Sequence, residues 1–369
     1  MKEAITYVGL DVHKRTIAVC VLLPGQEKPL EWEIENTAET LRRLAKRLLK
    51  LGAGRVHSCY EAGPAGFAVQ RRLEKLGVAC DVIAPTLIPR KPGERIKTDR
   101  RDARKLAINL RNGELTRVEP PNEEQEAVRD LVRARDAARE DRVRARHQLS
   151  QFLDRRALVF AGSHWTDKHR VFLDGLRFEQ PANRKTFDTY RETIRQIDER
   201  LKSLDQEIVA IAATAPYAEA VGRLRTLRGI DTYSAMVLIV ELFEFGRFES
   251  PRQLMAFLGL VPSEESSGET TRRGSITKTG NGRVRRILIE AAQNQRYAYR
   301  ISPTLKKRRA GQASWVLAIA DRAGKRLSDR YRRLTSRQKS INKVKVAVAR
   351  ELAGFVWALL HPGIASAKR

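Results

Sequence analysis

The stretch Ile5-Thr6-Tyr7-Val8-Gly9-Leu10-Asp11-Val12-His13-Lys14 is an apolar run that delivers a carboxylate at its end. Tyr7, Val8, Leu10 and Val12 occupy both alternations of a strand, so this strand is expected to be covered on both faces, as the central strands of mixed sheets are. A buried acid without partners is costly, and a metal ion is the partner that best suits it. An ordinary turn aspartate is the plain alternative. Only further carboxylates gathered to the same place decide between the two.

The next residues read as such a sheet. Arg15 to Leu23 forms a second strand and Leu30 to Glu35 a third, with Pro24-Gly25 turning the chain between them. Asn36-Thr37 can cap a helix running to Leu51, whose Leu41, Leu44, Leu48 and Leu51 recur at helical spacing and which Gly52 and Gly54 stop. Arg55 to Tyr60 is then a strand with Glu61 at its end, followed by a helix from Gly66 to Leu76 and a strand from Val78 to Ile83. Three strands, helix, strand, helix, strand is the order of an RNase H-like sheet. In that topology the first and fourth strands are neighbours, which would bring Asp11 and Glu61 together.

A basic loop after Pro85 leads into Lys97-Thr98-Asp99-Arg100-Arg101-Asp102-Ala103. Asp99 and Asp102, three apart in a first helical turn, face the same way. Acids there also serve as helix-dipole partners. With Asp11 and Glu61 at strand ends, however, four carboxylates can converge, and they repel one another unless divalent cations neutralise them. Two magnesium ions about 3.5–4 Å apart would do so and would suit phosphodiester chemistry. Lys14, Arg100 and Arg101 would hold the phosphate backbone.

Pro120-Pro121 closes this first domain, assigned to residues 1–120. A helical segment is expected over 121–214. Residues 122–153 read as a long exposed helix, and Tyr190, Ile194, Ile197, Leu201, Leu204, Ile208 and Ile211 form a heptad seam whose partner is either the earlier long helix or a second subunit. Residues 215–369 form a mainly helical third unit. Its Arg228-Gly229-Ile230-Asp231 turn resembles a helix-hairpin-helix with an acid where a second glycine is usual, so it either packs or contacts phosphate. Ser263-Glu264-Glu265-Ser266-Ser267-Gly268 and the run Arg272, Arg273, Lys278, Arg283, Arg285, Arg286 interleave serines and glycines with cations. Such a basic loop can approach a phosphate chain closely. No His or Lys at short spacing marks one serine as a nucleophile.

Lys and Arg number 71 against 44 Asp and Glu, a net charge of +27 spread along the chain, which makes nucleic acid the default partner. No apolar run is long enough to span a bilayer and no signal-peptide pattern opens the chain, so a cytoplasmic protein is expected. Cys20, Cys59 and Cys80 lie in apolar stretches and are expected to be buried, reduced thiols. The six His show no metal spacing.

GLDVHK at the start, YEAG at Tyr60 to Gly63, KTDRRDA at Lys97 to Ala103, and FLGLVPSEESSG with RRGSITKTGNGRVRRILIEAA near the end together resemble the DEDD-type insertion-sequence transposases, relatives of the Piv invertase described as bridge-RNA-guided recombinases. The resemblance covers nearly the whole chain. It implies an α/β plus α architecture: a RuvC-like, RNase H-fold N-terminal domain, a coiled-coil segment and a C-terminal transposase domain. It implies Asp11, Glu61, Asp99 and Asp102 as the magnesium-binding tetrad. Ser267, with Ser266 as the alternative, would attack the DNA backbone to form a covalent phosphoserine link in a composite site between subunits. It implies donor and target DNA, a noncoding guide RNA, and a dimer or tetramer. The rival readings are a Holliday-junction resolvase-like nuclease that uses water as nucleophile, and a non-catalytic nucleic-acid-binding scaffold.

Overall fold

The structure, a computed structural model, describes residues 5–52, 55–89, 98–267 and 270–361. The chain divides into two compact units, Met1–Pro121 and Asn122–Arg369.

The first unit is a mixed sheet with helices on both faces. Its elements run β1 (Thr6–Val12), β2 (Thr16–Leu22), β3 (Leu30–Glu35), α1 (Ala38–Leu51), β4 (Val56–Glu61), α2 (Ala68–Lys75), β5 (Ala79–Ile83), α3 (Asp99–Asn112) and a short β6 (Arg117–Val118). The strand order is β3-β2-β1-β4-β5-β6. The meander β1-β2-β3 is antiparallel, while β4 and β5 join β1 in parallel through helical crossovers. The strand pair that the sequence order implied, β1 beside β4, is therefore present. β6 escapes sequence reading because two residues carry no alternation.

Period two sorts the side chains of β1 between two cores. Val8 and Leu10 pack with Leu41, Leu44 and Leu48 of α1. The opposite face takes α3 through Ala18, Cys20 and Leu22 against Ala103 and Ala107, and through Cys59 and Ile83 against Leu106 and Leu110. The strand is covered on both sides, as expected. All three cysteines are buried and unpaired. Thr37 caps α1 in a reciprocal capping box with Thr40. Thr98 caps α3, and Gly113 ends it in the left-handed region at φ 72°.

The second unit is helical. It comprises α4 (Glu123–Asp154), α5 (Asp167–Gly175), α6 (Pro181–Ala212), α7 (Tyr217–Leu224), α8 (Thr232–Leu242), α9 (Pro251–Phe257), the hairpin β7 (Pro262–Ser267) and β8 (Thr270–Ile276), then α10 (Gly282–Gln293), α11 (Pro303–Arg309), α12 (Ser314–Ser336) and α13 (Ile341–Leu360). The heptad seam of α6 packs within the chain on α4: Ile194, Ile197 and Leu201 share a core with Ala138, Ala145, Leu149 and Phe152. Ion pairs between Arg135 and Asp205 at 2.8 Å and between Arg142 and Asp198 at 3.3 Å rise along one helix as they fall along the other, so the two run antiparallel. The stretch read as a basic loop is instead a hairpin, Ser266 beside Thr271 and Ser267 beside Thr270. Its strands are polar on both faces and so lack the apolar alternation by which strands are recognised. Among the described residues no helix is long and apolar enough to cross a membrane.

Candidate active site

The site is built where β1 ends. Leu10 lies beside Tyr60 in the parallel β1–β4 register, so the next residues, Asp11 and Glu61, close neighbouring strands. Both are two residues beyond positions that face α3, Gly9 and Cys59, and so share that face. α3 lies almost directly on the strand there: a Cβ at Gly9 would stand 2.0 Å from the Ala103 carbonyl oxygen and 2.5 Å from the Ala107 nitrogen. The stripe of α3 that packs on the sheet, Ala103, Leu106, Ala107 and Leu110, continues at its N-terminal end as Asp99 and Asp102. Glycine on the strand and alanines on the helix thus set the height at which the two aspartates meet the end of β1.

Among the described residues, Asp11, His13 and Asp99 each place a ligand atom within 4.8 Å of the others. His13 Nε2 stands 3.2 Å from Asp11 Oδ2 and 3.5 Å from Asp99 Oδ1. Burial raises the Asp11 carboxyl above its ordinary range. His13 opposes that shift, and the neighbouring charges of Asp99 and Asp102 add to it. Asp102 is therefore close enough to be felt electrostatically, although it is outside the set within 4.8 Å. Glu61 is exposed and also outside that set, with its backbone paired to Ile83.

His13 is the residue that sequence reading missed. Judged by His-to-His spacing it had no metal pattern; Asp-x-His at a strand end was the available signal. Its ring joins two carboxylates, one on the strand that ends just before it and one from α3. Oxygen donors from Asp11 and Asp99 with an imidazole beside them form a set that suits a divalent cation, and the mutual repulsion felt at Asp11 is what such a cation would relieve.

The expected nucleic-acid ligands fall into two groups. Lys14, Arg100, Arg101, Arg272 and Lys278 are exposed. Arg285 instead donates to the carbonyls of Leu258 at 2.9 Å and Thr279 at 2.8 Å. Arg286 pairs with buried Asp136 at 2.6 Å and with Glu290 at 3.0 Å, and Arg283 lies 3.6 Å from Asp136. These three arginines bind the chain's own acceptors, so whatever part they play with nucleic acid is shared with ties inside the second unit. The side chains of Ser266, Ser267 and Arg273 lie outside the described structure; their backbones belong to the hairpin.

The strand leaving that hairpin is clamped. Gly280, at φ 64°, has no room for a Cβ, which would fall 1.9 Å from the Phe257 carbonyl oxygen. Thr277 N donates to Val261 O at 2.9 Å and Lys278 N to Gly259 O at 3.2 Å. Asn281 then caps α10 and donates to Glu241 at 2.7 Å, whose carboxylate takes two bonds from Arg133 at 2.7 and 2.8 Å. At the hairpin-like turn, Asp231 caps α8 and pairs with Arg225 and Arg308. Two arginines of the same unit thus engage the acid that stands where a second glycine is usual.

A sheet that gathers acids on one face, in a chain of net charge +27, is the arrangement of an enzyme acting on nucleic acid. Residues 8–157 match the transposase family DEDD_Tnp_IS110, and residues 221–309 match the family described as Transposase IS116/IS110/IS902. Protein y4qE of Sinorhizobium fredii, named as a transposase, is 42% identical over 359 residues, 96% of this chain and 88% of the relative. The transposase for insertion sequence element IS1533 of Leptospira borgpetersenii is 37% identical over 344 residues, 91% of this chain and 99% of the relative. The transposase for IS1111A of Coxiella burnetii is 23% identical over 289 residues, 77% and 72% of the two chains. The chain belongs to the IS116/IS110/IS902 family of transposases, enzymes that move DNA segments by cutting and joining strands. The first matched segment carries Asp11, Glu61, Asp99 and Asp102, and the second carries Ser266 and Ser267.

Proposed function

We propose that this transposase cuts and rejoins DNA with an RNase H-like acidic site, formed by Asp11, Glu61, Asp99 and Asp102, and a serine nucleophile in the β7–β8 hairpin, Ser267 or its neighbour Ser266. The observation that carries the proposal is the convergence of Asp11 and Asp99 on His13, with Asp102 felt at Asp11 and Glu61 on the adjoining strand end. The four acids would hold divalent cations, most simply two magnesium ions, and His13 would orient Asp11 or join the ligands. When bound, such ions neutralise the scissile phosphate and polarise its oxygens.

The serine Oγ attacks the phosphorus in line. The Oγ–P bond forms, the P–O3′ bond breaks, the serine proton is lost to a base and the leaving 3′ oxygen gains a proton. The phosphodiester energy is kept in the phosphoserine link, so a 3′-hydroxyl of a different strand can reverse the step without a nucleotide cofactor. Exposed Lys14, Arg100, Arg101, Arg272 and Lys278 would hold DNA phosphates. A noncoding RNA that guides the choice of DNA, assembly as a dimer or tetramer, and action in the cytoplasm complete the proposal.

Trapping the protein–DNA adduct under denaturing conditions tests the chemistry. Ser267→Ala is expected to abolish it with DNA binding kept. An adduct that survives in both Ser267→Ala and Ser266→Ala would sink the serine assignment, and cleavage with no adduct in the wild type would point to water as nucleophile. Asp11→Asn should remove divalent-dependent cleavage. Sequencing nucleic acid that copurifies with the protein tests the guide RNA.

A further inference from the structure

We infer that Tyr297 is a stacking platform for an unpaired nucleobase, at the centre of a single-strand-binding surface on the second unit. Tyr297 is 61% exposed, yet the backbone of the segment that carries it is held by side chains from elsewhere in the unit. Its carbonyl accepts from Ser328 Oγ at 2.5 Å and from Arg228 at 3.0 Å. The same guanidinium also holds the carbonyls of Ala298 at 2.9 Å and Arg300 at 3.2 Å. Two residues on, Tyr299 turns inward: its hydroxyl donates to Asp321 at 2.6 Å and accepts from Arg309 at 2.9 Å. Its ring lies against Gly324, where a Cβ would stand 2.0 Å from the ring. One tyrosine of Tyr297-Ala298-Tyr299 therefore anchors the loop and the other is presented outward on it. A rigid, exposed aromatic loses little freedom when a flat ring stacks on it.

The surroundings fit a nucleotide. Tyr297 is shared by two concavities, one of about 640 Å³ that also touches Arg296, Arg332 and Ile341, and one of about 330 Å³ that also touches Arg228, Arg300 and Arg308. Arg296 lies over the ring at 4.6 Å from its centre and donates to its hydroxyl at 2.6 Å. The acids nearby are engaged within the fold: Asp231 with Arg225 and Arg308, Asp329 with Arg332, and Asp321 with Arg309. The donors of Arg228 go to neutral carbonyls, and among the described residues no acid pairs with it. An exposed aromatic ring between two arginine-lined concavities takes a base on the ring and phosphates on the guanidinium groups. A duplex, whose bases are already stacked on one another, offers no free face.

The test is fluorescence anisotropy of the full-length protein with short labelled single-stranded DNA, single-stranded RNA and duplex DNA. It is run with chelator present and at elevated salt to suppress nonspecific phosphate contacts. Tyr297→Ala should weaken single-strand binding about tenfold, Tyr297→Phe should stay within about twofold of wild type because the ring is kept, and duplex binding should not change. Loss on the RNA arm, the DNA arm or both supports the platform and identifies the strand it serves. Wild-type single-strand binding by Tyr297→Ala, equal loss in Tyr297→Phe, or equal loss on duplex overturns it. Because the readout is binding without divalent ions, it stands or falls separately from the acidic site and the serine.

Discussion

Gly9 has no side chain, and much of the acidic site depends on that. Ala in its place would put a Cβ against backbone atoms of α3 that cannot swing aside. Gly9→Ala is expected to push the helix and its two aspartates off the sheet, costing about 1–3 kcal/mol in chemical denaturation and most of the divalent-dependent cleavage. His13 is the second residue whose place in the candidate site shows only in three dimensions. His13→Ala should lower divalent affinity by about 10- to 100-fold, read as a higher magnesium concentration for half-maximal cleavage. Magnesium at about a hundred times its dissociation constant should add about 2.7 kcal/mol of stability, seen as a higher melting temperature, and Asp11→Asn should abolish that gain. Asp11 and Glu61 were legible as candidates because each ends an apolar strand, and Asp99 with Asp102 because of their spacing in a first helical turn. His13 was not, since its partners come from β1 and from an α-helix more than eighty residues away.

At the scale of elements, Glu241 ties together three helices: it stands on α8, takes two bonds from Arg133 of α4 and one from Asn281 at the start of α10. Burial alone would raise its carboxyl, but the bonds and charge of Arg133, with Asn281 and Arg283, bring it below its usual value of 4.5. A depressed acid contributes stability that is present above its unfolded value and lost as pH falls through the folded one. Thermal melts should therefore show the second unit losing stability below pH about 4.5. Glu241→Gln should flatten that slope and, by leaving Arg133 without its counter-charge, cost about 2–4 kcal/mol near neutrality. The two long helices of this unit were readable from composition and periodicity: the stretch read over 122–153 is α4, and the heptad positions of α6 do face a partner. Which helix that partner would be was not readable, because a heptad seam specifies an apolar stripe and not the chain it meets. The hairpin was missed for a related reason, since strands of serine, glutamate, threonine and arginine look like loop when only side-chain pattern is considered.

For the whole molecule the dominant quantity is its net charge of +27. DNA binding should weaken by about a thousandfold or more between 50 and 200 mM salt, measurable by anisotropy on a duplex; a flat salt response would count against broad phosphate contact. Charge, the succession of strands and helices along the chain and the four candidate acids are properties of local sequence, because charge adds residue by residue and strands and caps are written in short windows. What only the tertiary structure decided are contacts between residues distant along the chain: Gly9 against Ala103, His13 between Asp11 and Asp99, α6 on α4, and Arg228 holding the loop that turns Tyr297 outward. Such contacts depend on how closely two backbones approach and which side chain fills the gap, and those distances exist only once the elements have packed.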